Sequence, residues 1–123
     1  MILAVVSDLM FAVPINEMGR RLGVPVVFAS TRGSALAELV KQPRAVVLDL
    51  NLESADPVGI LEHIAATPAL AAVRTIGFVP HVRVELKARA LEAGCGTVLA
   101  RSVFADKLPG LLREACGPGP AGT

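Results

Sequence analysis

The chain has no tryptophan, no tyrosine and only 4 phenylalanines among 123 residues. Its interior must therefore be built from Ala, Val, Leu and Ile, which supply most of a 53% hydrophobic content. Cysteine is equally sparse. Cys95 and Cys116 form no CxxC, and neither His63 nor His81 lies at ligand spacing from them, so a disulfide framework and a zinc site are both excluded. Charge of one sign is lacking too: the formal net charge is +1 and no basic run exceeds Arg20-Arg21. Nucleic acid is not expected as a partner, because phosphate binding needs clustered Lys and Arg. No apolar stretch approaches the roughly 18 to 20 uninterrupted residues of a membrane span. The chain enters a strand pattern without a charged leader and cleavage site, so a cytoplasmic protein is expected. No Gly-rich phosphate loop occurs; Gly94 and Gly96 read as turn residues, so neither nucleotide nor flavin is expected.

What the sequence does contain is a set of short apolar runs, each ending in polar residues. Ala45-Val46-Val47-Leu48 leads into Asp49, Leu3-Ala4-Val5-Val6 into Ser7-Asp8, and Thr97-Val98-Leu99-Ala100 into Arg101-Ser102. Continuous apolar runs of this length suit strands buried on both faces, as in a parallel sheet. Open α/β sheets gather their chemistry at the carboxyl ends of the strands. Two acids and one base are therefore expected at one rim.

Helical patterns separate the runs. Phe11, Ile15, Met18 and Leu22 recur at helical spacing. Pro14 is tolerable in a first turn, which predicts a helix start near Met10 or Phe11, with Gly23 ending it. The following elements are expected at 24–29 (strand), 34–42 (helix), 45–50 (strand), 57–66 (helix), 73–79 (strand), 84–92 (helix), 97–100 (strand) and 105–115 (helix). Asp56-Pro57 is a strong helix start, the Asp capping and the Pro taking the first position. Strict alternation predicts a three-layer, doubly wound α/β domain over residues 1–116, with five parallel strands and five helices. Residues 117–123 are Gly/Pro-rich and read as a flexible tail.

Asp8 after the first strand, Asp49 after the third, Asp49-x-Asn51 opening a loop that contains Asp56, and a base after the fifth strand together resemble a response-regulator receiver domain. The resemblance spans about residues 1–115 and includes Ala93-Gly94 before the fifth strand. It implies the flavodoxin-like strand order 2-1-3-4-5. It implies that Asp49 accepts a phosphoryl group from a sensor histidine kinase, as a carboxylate can without prior deprotonation. It also implies that Asp8, Asp49 and the Asn51 carbonyl hold Mg²⁺. Ser7 stands where the family has a second acid, so that affinity should be low.

Other departures accumulate. Arg101 matches the family's lysine and should contact phosphate, but its planar guanidinium is not an ammonium. Val79 replaces a hydroxyl residue and Val98 an aromatic; in the family those two move together to report phosphorylation. His81 matches a position that tunes water access to the phosphoryl group, and it also reads as an exposed loop residue. Two acids facing Arg101 are nearly balanced without metal, so an Asp49–Arg101 ion pair is expected to occupy the site. The bland alternatives stay open: Asp49 as a strand-end carboxylate capping loop amides, Asp8 as a helix N-cap, and Arg101 as a surface residue pairing with an acid.

The expected function is an atypical, stand-alone receiver-like signalling domain, not an enzyme, with weak or absent phosphorylation. It would act by protein–protein interaction through its fourth helix, fifth strand and fifth helix, the face the family uses for homodimers and targets. Val103, Phe104 and Leu108 are candidate contacts there, with Phe104 and Leu108 equally readable as core. The rival is a small enzyme or anion binder using Asp8, Asp49, Arg101 and His81 as an acid–base cluster. No nucleophile–base pair stands at an evident spacing to support it.

Overall fold

Leu3, Val5, Val46 and Leu48 point to one side of a sheet while Ile2, Ala4, Ala45 and Val47 point to the other, and all eight are wholly buried. Helices on both faces explain why these strands are continuously apolar rather than alternating. In the computed structural model, residues 1–79 and 83–116 are described. The elements are β1 (Ile2–Val5), α1 (Leu9–Leu22), β2 (Val26–Ala29), α2 (Arg32–Leu39), β3 (Ala45–Asp49), α3 (Pro57–Ala66), β4 (Arg74–Val79), α4 (Val84–Glu92), β5 (Thr97–Ala100) and α5 (Arg101–Cys116). Short 3₁₀ turns at Glu53–Ala55 and Pro68–Leu70 flank α3. The sheet is wholly parallel in the order β2-β1-β3-β4-β5, as expected. The tail expected over 117–123 lies outside the described residues.

The two faces are built differently. On one, α1 and α5 pack Phe11, Ile15, Phe104, Leu108 and Leu112 against Ile76 and Phe78 of β4. On the other, α2, α3 and α4 supply Ala35, Leu39, Ile60, Leu61 and Ala90, with no aromatic residue in the cluster. Gly19 lets α1 lie close to β2, since a Cβ there would meet the Val26 side chain and come within 2.8 Å of the Val24 carbonyl.

Element types follow the sequence; several ends do not. α1 begins at Leu9 because the Asp8 side chain accepts from the Met10 amide, so Pro14 sits well inside the helix rather than in its first turn. The carbonyl Pro14 cannot serve is that of Met10, which is 70% exposed and can be hydrated. α2 begins earlier, at Arg32, because Thr31 and Ser34 form a reciprocal capping box, and it ends at Leu39 short of the left-handed Gln42 (φ 55°). β2, β3 and β4 are each trimmed at one end. α5 starts at Arg101, directly after β5, instead of at Ala105, and carries Pro109 within it. α3, α4 and β5 match, including Asp56 accepting from the Gly59 amide at 3.2 Å with Pro57 behind it.

Candidate functional site

Because β1, β3 and β5 run in the same direction, their carboxyl ends deliver Asp8, Asp49 and Arg101 to one edge. They meet there in a hollow of about 270 Å³, lined by Ser7, Asp8, Phe11, Asp49, Asn51, Leu52, Phe78 and Arg101. The gathering of two acids and a base at a single rim is thus present.

The pairing inside it differs from the expected one. Arg101 donates from Nη2 to Asp8 Oδ2 at 3.2 Å, not to Asp49. Its guanidinium lies 4.6 Å from the centre of the Phe11 ring. With α5 starting at Arg101 itself, the side chain is directed over α1, and Asp8 is the carboxylate it reaches there. Asp8 is also the N-cap of α1, its Oδ1 accepting from the Met10 amide at 2.9 Å. The capping and surface-pairing readings of Asp8 and Arg101 therefore both hold.

Asp49 instead accepts from the Asn51 amide at 3.0 Å through Oδ1. Burial pushes its carboxyl above the usual carboxylate range; the Asn51 amide and the Arg101 charge oppose that, and the Asp8 charge adds to it. Asn51 in turn accepts from Arg83 Nη1 at 2.7 Å through its side-chain oxygen. Arg83 is a second cation at this edge that the sequence did not suggest. It lies 32 residues from Asn51, outside any local motif that could have flagged it.

Beneath Arg101, Phe11, Phe78 and Phe104 stack with centroids 4.4 to 5.4 Å apart. Phe104 and Leu108 are 1% and 2% exposed, so these two proposed outward contacts are core residues. The helical period starting at Arg101 turns both inward, while Val103, at 37%, stays outside. Val79 is buried and offers no hydrogen bond, and Ser7 is exposed at the rim. His81 lies outside the described residues.

Asp8, Asp49 and the Asn51 carbonyl are the groups that would hold a divalent cation, and the two carboxylates are partly committed to other partners. Both Asp8 oxygens are engaged, by the Met10 amide and Arg101, and one Asp49 oxygen holds the Asn51 amide. Among the described residues, no group of three or more His, Cys, Asp or Glu side chains gathers to hold a cation. A hard divalent cation wants several free oxygens and would have to displace the guanidinium.

No family model and no curated protein matches the sequence. Solved structures do match in shape. The receiver domain of a sensor histidine kinase from Pseudomonas aeruginosa, with magnesium in its active-site cleft, superposes with a TM-score of 0.79 at 22% identity, over 94% of this chain and 96% of that one. A phosphorylated cyanobacterial phytochrome response regulator gives 0.79 at 19%, over 93% and 91%. A response-regulator receiver domain from Bermanella marisrubri gives 0.78 at 19%, over 93% and 95%. The fold is that of a receiver domain. Within that receiver fold, the hollow at the carboxyl edge holds two carboxylates and the Arg101 guanidinium, while Arg83 reaches its Asn51 from outside. No helix among the described residues is long and apolar enough to cross a membrane.

Proposed function

We propose that the chain is an atypical receiver-type signalling domain of a two-component system, not an enzyme, that works by docking on other proteins. Its phosphoacceptor is Asp49, used weakly or not at all. The observation that carries this reading is the meeting of Asp8, Asp49 and Arg101 in one hollow, with Arg101 seated on Asp8. A half-buried carboxylate at a strand end is a competent nucleophile toward a phosphoryl group. Its product, however, adds negative charge beside Asp8, and stabilising that charge needs a cation free to turn toward it. Arg101 is held by an acid and a ring, and Arg83 by Asn51. Val79 supplies no hydroxyl for a phosphoryl oxygen. Mg²⁺, which the Pseudomonas receiver domain holds in its cleft, would bind Asp8, Asp49 and the Asn51 carbonyl here only weakly. The natural donor would be a sensor histidine kinase, and the setting cytoplasmic. Targets or a second copy would dock on α4, β5 and α5, where Val84, Leu91 and Val103 are exposed.

The test is incubation with acetyl phosphate and Mg²⁺, read by intact mass. The wild type should show little or no phosphoryl adduct. A variant carrying Ser7→Asp, Val79→Thr and Arg101→Lys should gain one that is lost on adding Asp49→Asn. Stoichiometric labelling of the wild type at Asp49 would overturn the weak-acceptor reading, and an adduct retained in Asp49→Asn would overturn the acceptor assignment.

A further inference from the structure

Arg101 stands near two carboxylates and is bonded to only one of them. Its guanidinium donates to Asp8 at 3.2 Å and lies 4.6 Å from the centre of the Phe11 ring, while its charge also reaches Asp49. We propose that Phe11 is a positioning residue: its ring face and Asp8 together form a seat that keeps Arg101 on Asp8 and away from Asp49. The inference deepens the weak-acceptor reading above and rests on it only for what Asp49 does.

Each part of the seat is held by contacts of its own. Asp8 and Phe11 stand three residues apart at the start of α1, a spacing that brings a carboxylate and a ring to one face. The Met10 amide holds Oδ1 of Asp8, which leaves Oδ2 for Arg101. Phe78 and Phe104 hold the Phe11 ring, with centroids 4.5 and 5.4 Å away. α5 begins at Arg101, directly after β5, so the backbone delivers the side chain over α1. The ion pair alone does not decide the choice. Its side chains are 40% and 46% exposed, and a pair so open to water contributes little. Asp49 is the less exposed of the two acids, so water screens its attraction for a cation less. Charge therefore favours Asp49, and the ring tips the balance to Asp8. A cation over a ring face biases such a choice by about three- to tenfold. A guanidinium suits both parts of the seat, offering a flat face to a ring and edge N–H groups to a carboxylate, whereas an ammonium has no flat face. Arginine at 101, where the receiver family has lysine, thereby has a role of its own.

The seat is read on the full chain, without phosphodonor or Mg²⁺, by NMR of the Arg101 side-chain Nε–H group. Its signal should be displaced by the Phe11 ring current, move on Asp8→Asn and stay in place on Asp49→Asn. Asp8→Asn keeps the α1 cap, since Asn caps as well as Asp. Phe11→Leu keeps the position apolar and removes the π face, and it should reverse the pattern. The Arg101 signal then loses its displacement, stops responding to Asp8→Asn and moves on Asp49→Asn. Phe11→Tyr, which keeps a ring, should behave as the wild type does. A purely packing role for Phe11 would leave the partner of Arg101 unchanged in all of these variants. Arg101→Lys leaves the phenylalanine cluster whole and tests the same choice should Phe11→Leu fail to fold: the ammonium signal should move on Asp49→Asn rather than on Asp8→Asn. A wild-type Arg101 signal that moves on Asp49→Asn as much as on Asp8→Asn would overturn the proposal. So would a signal that still follows Asp8→Asn alone in Phe11→Leu or in Arg101→Lys. Failure of the seat with weak labelling of Asp49 removes only this assignment, whereas stoichiometric labelling of Asp49 removes the weak-acceptor reading and leaves the Arg101 measurement standing.

Discussion

The two sides of Asp49 are finished to different standards. Toward α1 and α5 everything is filled: three rings stack in contact, a guanidinium covers one of them, and an acid that caps α1 holds that guanidinium. Toward α4 and β5 the same edge ends in valines and an open hollow. The filled side holds Arg101 on Asp8 and the Phe11 ring, whereas the open side has no such contact to Asp49. The receiver fold here keeps its strand-end carboxylates, while the open side carries valine at both 79 and 98.

The largest effect should come from breaking the filled side. Phe78→Ala removes a ring that is 1% exposed and in contact with two others, and should cost about 3–5 kcal/mol in denaturant unfolding. Val98→Ala, on the half-buried open side, should cost about 1 kcal/mol or less. Near-equal losses would erase the distinction between the two sides.

Next in size is Arg101→Ala. It removes a half-exposed ion pair and a ring contact, for a loss of about 1 kcal/mol. The same substitution frees an Asp8 oxygen, so cation binding at the site should rise while stability falls.

The smallest effect concerns Asp49, and its sign is opposite. Burial raises its folded-state pKa above 3.8, so the native state holds a proton more readily than the unfolded chain. Stability then falls as pH rises through the window between the ordinary and the raised value, and the ionised side chain weakens the fold at neutral pH. Asp49→Asn should therefore unfold at slightly higher temperature than wild type at pH 7, and the advantage should vanish on acidification below the ordinary carboxylate range. A lower melting temperature at pH 7 would mean that Asp49 gains more from Asn51 and Arg101 than it loses by burial.

Much of this architecture was legible from periodicity. The apolar runs marked every strand, and Asp56-Pro57 and Gly94 marked α3 and the end of α4, because these signals are local. Boundaries that depend on a competing cap were not legible: Asp8 pulled the start of α1 forward past Pro14, and nothing between Ala100 and Arg101 interrupts the passage from strand to helix. The choice left open for Phe104 and Leu108 falls to the core reading, because they stand four residues apart on the face of α5 that also buries Leu112. The edge cluster itself followed from strand direction. Which acid Arg101 would choose did not, because that depends on the Phe11 ring lying under the guanidinium. Arg83 was invisible for the same reason: its partner is Asn51, which only the folded chain brings near.

The most direct test of the account is a Mg²⁺ titration followed by NMR at the Met10 and Asn51 amides, which donate to Asp8 and Asp49. If Arg101 occupies the place of a cation, these signals should barely move in the wild type at millimolar Mg²⁺ and should shift saturably in Arg101→Ala. Saturable shifts of equal affinity in both proteins would contradict it.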